Sequence, residues 1–164
     1  PCFKEIMAKL APSLGELELR YRQGGDRQLT YGEALRQGFV SDTEQGYTHS
    51  GPQRADIRVM SAGHLAAETL SRGQQKLVVC GLKLAQGTLM ARLGVGSCTY
   101  LIDDLPSELD NAHSILVCEL LASLKSQVFI TCINHREIRS VWPSSEELAM
   151  FHVEQGVVSR YAEQ

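Results

Sequence analysis

Residues 98–104, Cys98-Thr99-Tyr100-Leu101-Ile102-Asp103-Asp104, form a mostly apolar run that ends abruptly in two carboxylates. Continuous runs of this kind mark strands buried on both faces, as in parallel sheets. Downstream, Leu109, Ile115, Leu116, Leu120, Leu121 and Leu124 supply the apolar face of a helix. Val128-Phe129-Ile130-Thr131-Cys132 then repeats the buried-strand texture. Strand, helix, strand in that order predicts a βαβ unit with a right-handed crossover.

Upstream of this unit, Ser71 and Gln74 form a capping box. The helix they open carries Leu77, Gly81, Leu84, Ala85 and Leu89 on one side and is expected to stop near Gly94. Ile57 and Val59 alternate with Asp56, Arg58 and Met60, a loop leading into a strand after Gly51-Pro52. Thr30 and Glu33 make a second capping box, opening a short helix through Leu35 and Phe39. Leu17, Leu19 and Tyr21 alternate with Glu18, Arg20 and Arg22 as a half-buried strand, and Gly24-Gly25-Asp26 is a turn. Phe3, Ile6, Met7 and Leu10 have helical spacing before Pro12. At the other end, Met150 to Val158 reads as a hairpin with Gly156 near its middle.

The chain has 164 residues, enough for one modest domain, and its net charge of -3 carries no bulk signal for nucleic acid. Any DNA contact must use a local cluster. Arg54 with Arg58, or Arg136 with Arg139, are candidates for phosphate contact, against the alternative of a solvated charged face. Five scattered cysteines (Cys2, Cys80, Cys98, Cys118, Cys132) fit reduced, buried thiols in a cytosolic protein better than disulfides or zinc. The histidines lack metal-ligand spacing. Lys76, Lys83 and Arg92 interrupt the best membrane-span candidate, and no signal-peptide pattern opens the chain. It begins with Pro1 rather than Met, from which a longer reading frame is expected.

Two features can carry chemistry. At the C-terminal edge of a parallel sheet, Asp103 and Asp104 point into the crevice where α/β folds bind ligands. One carboxylate there can hold Mg2+ and its neighbour can orient an attacking water. A solvated strand end followed by a turn at Pro106 is the plainer alternative. Leu70-Ser71-Arg72-Gly73-Gln74-Gln75-Lys76 opens a helix, whose free N–H groups can receive an anion that Gly73 lets approach the backbone. An ordinary capping box explains the same residues.

The order of these pieces resembles ABC-type ATPases of the RecF and SMC branch. Leu70 to Lys76 is similar to the family's signature motif, Tyr100 to Asp104 to its Walker B strand, and Ser107-Glu108-Leu109-Asp110 to the D-loop that follows. Gly46 to Asp56 and Phe151-His152-Val153-Glu154 resemble stretches of the RecF type, so the likeness covers nearly the whole chain. It implies an α/β fold, the C-terminal lobe of an ABC head with buried, largely parallel strands and flanking helices. Residues 1–46 are then the end of a helical arm subdomain, and residues 47–164 the C-terminal portion of the head.

By the same resemblance Asp103 holds Mg2+ and Asp104 polarises the attacking water. Ser71, Arg72, Gly73 and Gln74 contact the γ-phosphate of ATP bound to a second subunit, and Ser107 and Asp110 lie at the dimer interface. The implied parent is a slow, DNA-stimulated ATPase of the cytoplasm, serving recombinational repair, replication restart and the SOS response. It forms an ATP-dependent homodimer, binds single- and double-stranded DNA or their junctions, and partners a RecR-like recombination mediator. This chain has no G-x-x-x-x-G-K-[ST] run to cradle phosphates, so no turnover is expected from it alone.

Two departures point towards a second reading, a non-enzymatic scaffold for protein or DNA. Asp104 stands where the wider family has Glu, and Cys132 follows Thr131 with no clear switch histidine, though His135 lies nearby. A third reading, a metal-dependent hydrolase using Asp103 and Asp104 alone, lacks a third ligand or nucleophile. Without further strands beside it, the lobe is expected to expose apolar sheet and to self-associate.

Overall fold

The computed structural model describes residues 1–161. In its first half the elements are α1 (Cys2–Leu10), β1 (Leu17–Arg22), α2 (Tyr31–Gln45), β2 (Asp56–Ser61), β3 (His64–Leu65) and α3 (Ala66–Thr69). Then follow α4 (Arg72–Arg92), β4 (Thr99–Ile102), α5 (Leu105–Glu108), α6 (Asn111–Ser123) and β5 (Gln127–Ile130). The chain closes with α7 (His135–Val141), β6 (Phe151–Glu154) and β7 (Val157–Arg160). The class is α/β, with parallel pairing confined to β4–β5 among the described residues.

Packing divides the chain into two compact units. One is Leu14–Leu70; the other joins Pro1–Ser13 to the chain from Ser71 onward. In the first, β1 runs antiparallel to β2 with Leu17 opposite Ser61 and Arg22 opposite Asp56, and β3 pairs back on β2. The β2–β3 turn uses Ala62 and Gly63, both at positive φ, as a two-residue hairpin demands. The Thr30–Glu33 capping box opens α2, which runs past Phe39 to a left-handed cap at Gly46 and is thus longer than expected. No proline intervenes before that glycine. Ala34 is its one buried residue, while Phe39 and Val40 stand exposed.

In the second unit α1 lies against α4. Its apolar stripe of Phe3, Ile6, Met7 and Leu10 is buried, and Met7 and Phe3 face Gly81 at close range, where a side chain would collide. Glu5 and Arg92 pair at 2.6 Å across the same helices. Leu77, Val78, Gly81, Leu84 and Ala85 of α4 are buried, but Leu89 is 49% exposed and leaves the expected face. The α6 helix packs on α1, α4 and α7 and contributes Val117, Cys118, Leu120 and Leu121 to the core. Leu109 precedes this helix instead of belonging to it, because Asp110 caps it afresh. Of the five thiols, Cys2 and Cys118 are buried and Cys80, Cys98 and Cys132 half-buried, all free. Burial pushes the Cys118 thiol up to about 11.

The strands β4 and β5 pair in parallel, Thr99 opposite Gln127 through Ile102 opposite Ile130. They are not buried on both faces, as the sequence texture suggests. Tyr100, Ile102, Val128 and Ile130 lie on the half-buried side, whereas Leu101 is 78% and Phe129 52% exposed. On the half-buried side Tyr100 meets α4 at Gly87, while Leu101 and Phe129 stand exposed on the other. The β6–β7 hairpin, turned at Gln155 and Gly156, is exposed along its full length.

The Tyr100 hydroxyl stands where a Cβ on Gly87 of α4 would be, and it is buried with no hydrogen-bond partner among the described residues. Overpacking costs about 1–3 kcal/mol, more than the ~1 kcal/mol helix gain of Gly→Ala. Gly87→Ala is therefore expected to lower stability in urea denaturation, and Tyr100→Phe to recover most of the loss. The exposed sheet face carries a second expectation, that the chain alone self-associates through it. Light scattering should give a mass that rises with concentration and returns to the monomer in the Leu101→Lys, Phe129→Lys variant. A wild-type monomer at every concentration sinks that expectation.

Candidate functional site

The parallel register brings the ends of β4 and β5 level, so that Asp103 and Thr131 leave the sheet side by side. The Thr131 amide donates to the Ile102 carbonyl at 2.9 Å. Its hydroxyl donates to Asp103 Oδ1 at 2.5 Å and accepts from the Asp104 amide at 2.9 Å. Asp103 is exposed and Asp104 half-buried. Asp104 sits in the left-handed region, φ 47 and ψ 50, which aspartate tolerates better than most residues. Pro106 lies in the first turn of α5, and the Ser107 amide donates to the Asp104 carbonyl at 3.0 Å. The strand thus ends in a tight turn.

Beyond α5, Asp110 caps α6. Its carboxylate accepts from the His113 amide at 2.9 Å and contacts the His113 ring Nδ1 at 2.6 Å. Those contacts hold the Asp110 carboxyl below its usual range. Ser107 is exposed and Asp110 is turned to its own helix.

Ser71 caps α4 with both bonds of the capping box formed. Its Oγ accepts from the Gln74 amide at 3.3 Å and Gln74 Oε1 accepts from the Ser71 amide at 2.9 Å. Arg72 and Gly73 are exposed, with open space around Gly73. The start of this 21-residue helix is therefore accessible to an anion, at the positive end of the helix dipole. Lys76 Nζ and Glu108 Oε2 form an ion pair at 2.6 Å, which joins the first turns of α4 to the end of α5. Both side chains are about half exposed, and such a pair contributes roughly 0.2–1 kcal/mol. Its value is positional.

These contacts place Ser71 to Gln74 on one helix start and Asp103 and Asp104 on one strand end, with Ser107 on α5, all within one compact unit. Thr131, Lys76 and Glu108 add to the residues the sequence singles out. Lys76 and Glu108 lie inside the quoted motifs, but their pairing has no sequence signal. Thr131 is visible only as the end of a strand. His135 does not join the carboxylates; its ring packs on Tyr161 at 4.8 Å between centroids. Cys132 lies nearer, and burial, with Glu137 and Asp104 close by, pushes its thiol up. Such a thiol is a poor nucleophile at neutral pH.

No group of three or more His, Cys, Asp or Glu among the described residues is arranged to hold a metal ion. A hard divalent cation is commonly held by one or two carboxylates with nucleotide and water completing its shell. Asp103, exposed with Oδ2 free of hydrogen bonds among the described residues, fits that limited role. Of the basic candidates, Arg54 lies 5.8 Å over the Tyr47 ring with Nε on the Thr48 carbonyl. Arg58 stands opposite Arg20 on the neighbouring strand. Arg136 is exposed at the start of α7, and Arg139 contacts Met150. No helix among the described residues is long and apolar enough to cross a membrane.

The family described as RecF/RecN/SMC N terminal domain matches residues 39–159. The DNA replication and repair protein RecF of Pseudomonas paraeruginosa is 49% identical over 160 residues, 98% of this chain and 43% of that protein. RecF of Pseudomonas putida is 46% identical over a span of the same length and shares. The chain thus spans about 43% of the length of these curated relatives. Among solved structures, the recombination mediator protein RecF-ATPrS in the RecFOR pathway superposes with a TM-score of 0.70 at 19% identity, over 98% of this chain and 43% of that one. An SMC head bound to the C-winged helix domain of ScpA superposes with a TM-score of 0.55 at 18% identity, over 98% of this chain and 41% of that one. At these identities the structures establish the fold, that of RecF and SMC ATPase heads.

The Asp110 carboxylate yields a pH expectation. Its folded value lies below the unfolded one, so its stabilisation is fully present above the ordinary carboxylate value of about 3.9. The stabilisation is lost as pH falls through the lower, folded value. Asp110→Asn should flatten the acid limb of a thermal-midpoint profile between about pH 2 and 5 and change its neutral part less.

Proposed function

Because this chain belongs to the RecF/RecN/SMC family, we propose that it supplies the signature, Walker B and D-loop elements of an ATP-switched DNA-binding protein. The relatives carry the name DNA replication and repair protein, and the proposed role is recombinational repair and replication restart in the cytoplasm. The observation that carries this reading is the capped, open start of α4, with free amides and space at Gly73, in one compact unit with the strand end that bears Asp103 and Asp104.

In this reading Asp103 supplies one oxygen to Mg2+, and Asp104 orients the attacking water from its left-handed turn. The cation, when bound with ATP, neutralises charge on the transferring phosphoryl group. Ser71, Gly73 and Gln74 face the γ-phosphate of ATP held by a second copy, with the free amides of α4 as donors, and Arg72 stands beside them. Ser107 and Asp110 flank the dimer contact. Nucleotide then joins two heads and hydrolysis releases them. The phosphate-cradling loop comes from outside this chain, which has no such run. Residues 1–46 are the end of the arm and the remainder is head. DNA at single-strand/double-strand junctions and a RecR-like mediator are the proposed partners.

A second reading is a scaffold that binds protein or DNA without turnover. It is favoured by Cys132 after Thr131 and by His135 packing on Tyr161 instead of the carboxylates. ATP turnover with DNA present, in a protein of the relatives' full length, separates the two. Asp104→Asn and Ser71→Arg should each lower turnover by about 100-fold or more while ATP binding persists. Turnover indifferent to both changes, or absent from the wild type, favours the scaffold.

A further inference from the structure

We propose that Thr131 is the positioning residue for both carboxylates at the end of β4, aiming Asp103 at a nucleotide-bound divalent cation and holding Asp104 in its left-handed turn. The inference rests on the roles given above to Asp103 and Asp104, and adds to them a residue that neither motif contains.

A threonine hydroxyl has one proton to donate and lone pairs to accept with. Here the proton goes to Asp103 Oδ1 and a lone pair takes the Asp104 amide. The backbone amide of Thr131 takes the Ile102 carbonyl. One residue therefore ties down three consecutive residues of the neighbouring strand end. The bond to Asp103 is short, as befits a hydroxyl donating to a charged acceptor. A carboxylate pinned through one oxygen presents the other in a fixed direction, and Asp103 Oδ2 has no hydrogen bond among the described residues. The threonine itself is stiff about χ1, because its Cβ is branched. Its backbone is tied to the end of the β4–β5 ladder through the hydrogen bond from its amide to the Ile102 carbonyl.

Asp104 depends on the same hydroxyl. A non-glycine residue at positive φ is strained and persists only where its surroundings hold it. The hydroxyl that accepts the Asp104 amide is part of that hold, and it couples the turn to the orientation of Asp103. If threonine served only as a β-branched strand residue, valine would replace it without consequence. If the hydroxyl matters, serine preserves the function and valine does not.

The test uses the full-length protein with Thr131→Val and Thr131→Ser. Loss of a group that orients a metal ligand typically weakens metal binding 10- to 100-fold. Thr131→Val is thus expected to weaken Mn2+ binding to the protein–ATP complex, followed by electron paramagnetic resonance, by about tenfold or more. The Mg2+ concentration for half-maximal turnover should rise in parallel, with metal-free ATP binding little changed and the thermal midpoint lowered only modestly, as loss of the Asp104 amide acceptor requires. Thr131→Ser should return both values to within about twofold of wild type. Equal Mn2+ affinity in wild type and Thr131→Val overturns the proposal, as does a Ser variant no better than Val. Asp103→Asn run alongside separates the two layers of inference. If it leaves Mn2+ binding and turnover intact, the Asp103 assignment falls and Thr131 with it. If it removes both while Thr131→Val does not, only the role of Thr131 is lost.

Discussion

The parallel, in-register pairing of β4 with β5 is the constraint on which the site depends. Ile102 lies opposite Ile130, so the next residues on the two strands, Asp103 and Thr131, emerge together. A slip of one residue would turn every side chain of one strand to the other face. It would also part Thr131 from Asp103 and leave the Asp104 turn without its acceptor. The backbone ladder thus fixes a side-chain arrangement that neither strand specifies alone.

Around that pair, the helices are organised by close approach. Gly81 lets α1 settle onto α4 and Gly87 admits the Tyr100 ring, so two residues without side chains set how near the helix lies to its neighbours. The buried ends of the core, Leu10 of α1 with Cys118 and Leu121 of α6, come from distant parts of the chain. This explains why the first helix packs with the unit that holds the strands although a separate unit intervenes in sequence. Its apolar stripe needs a partner, and α4 supplies the matching face.

The start of α4 carries two demands on the same groups. Ser71 and Gln74 satisfy two backbone amides through the capping box, which stabilises the helix without any ligand. The remaining free amides and the open space at Gly73 are what an anion can use. A helix start that is already capped is preorganised, so a phosphate meets donors that need little rearrangement. The Lys76–Glu108 pair links the same helix start to the end of α5.

Much of this was legible in the residues themselves, for local reasons. Capping boxes at Thr30 and Ser71, the hairpin around Gly156 and the two apolar strands follow rules that act within a few positions, and the structure has them. The motif order pointed to the family that the comparisons establish. What tertiary structure alone decided involves residues far apart or surfaces left uncovered. Continuous apolar texture in β4 could not reveal that Leu101 and Phe129 face outward, because texture reports what a strand can bury and not what lies beside it. Leu109 kept the helical spacing but lost the helix to the new cap at Asp110. The hydroxyl of Thr131 reached the carboxylates only because a parallel crossover set it beside them, 28 positions from Asp103.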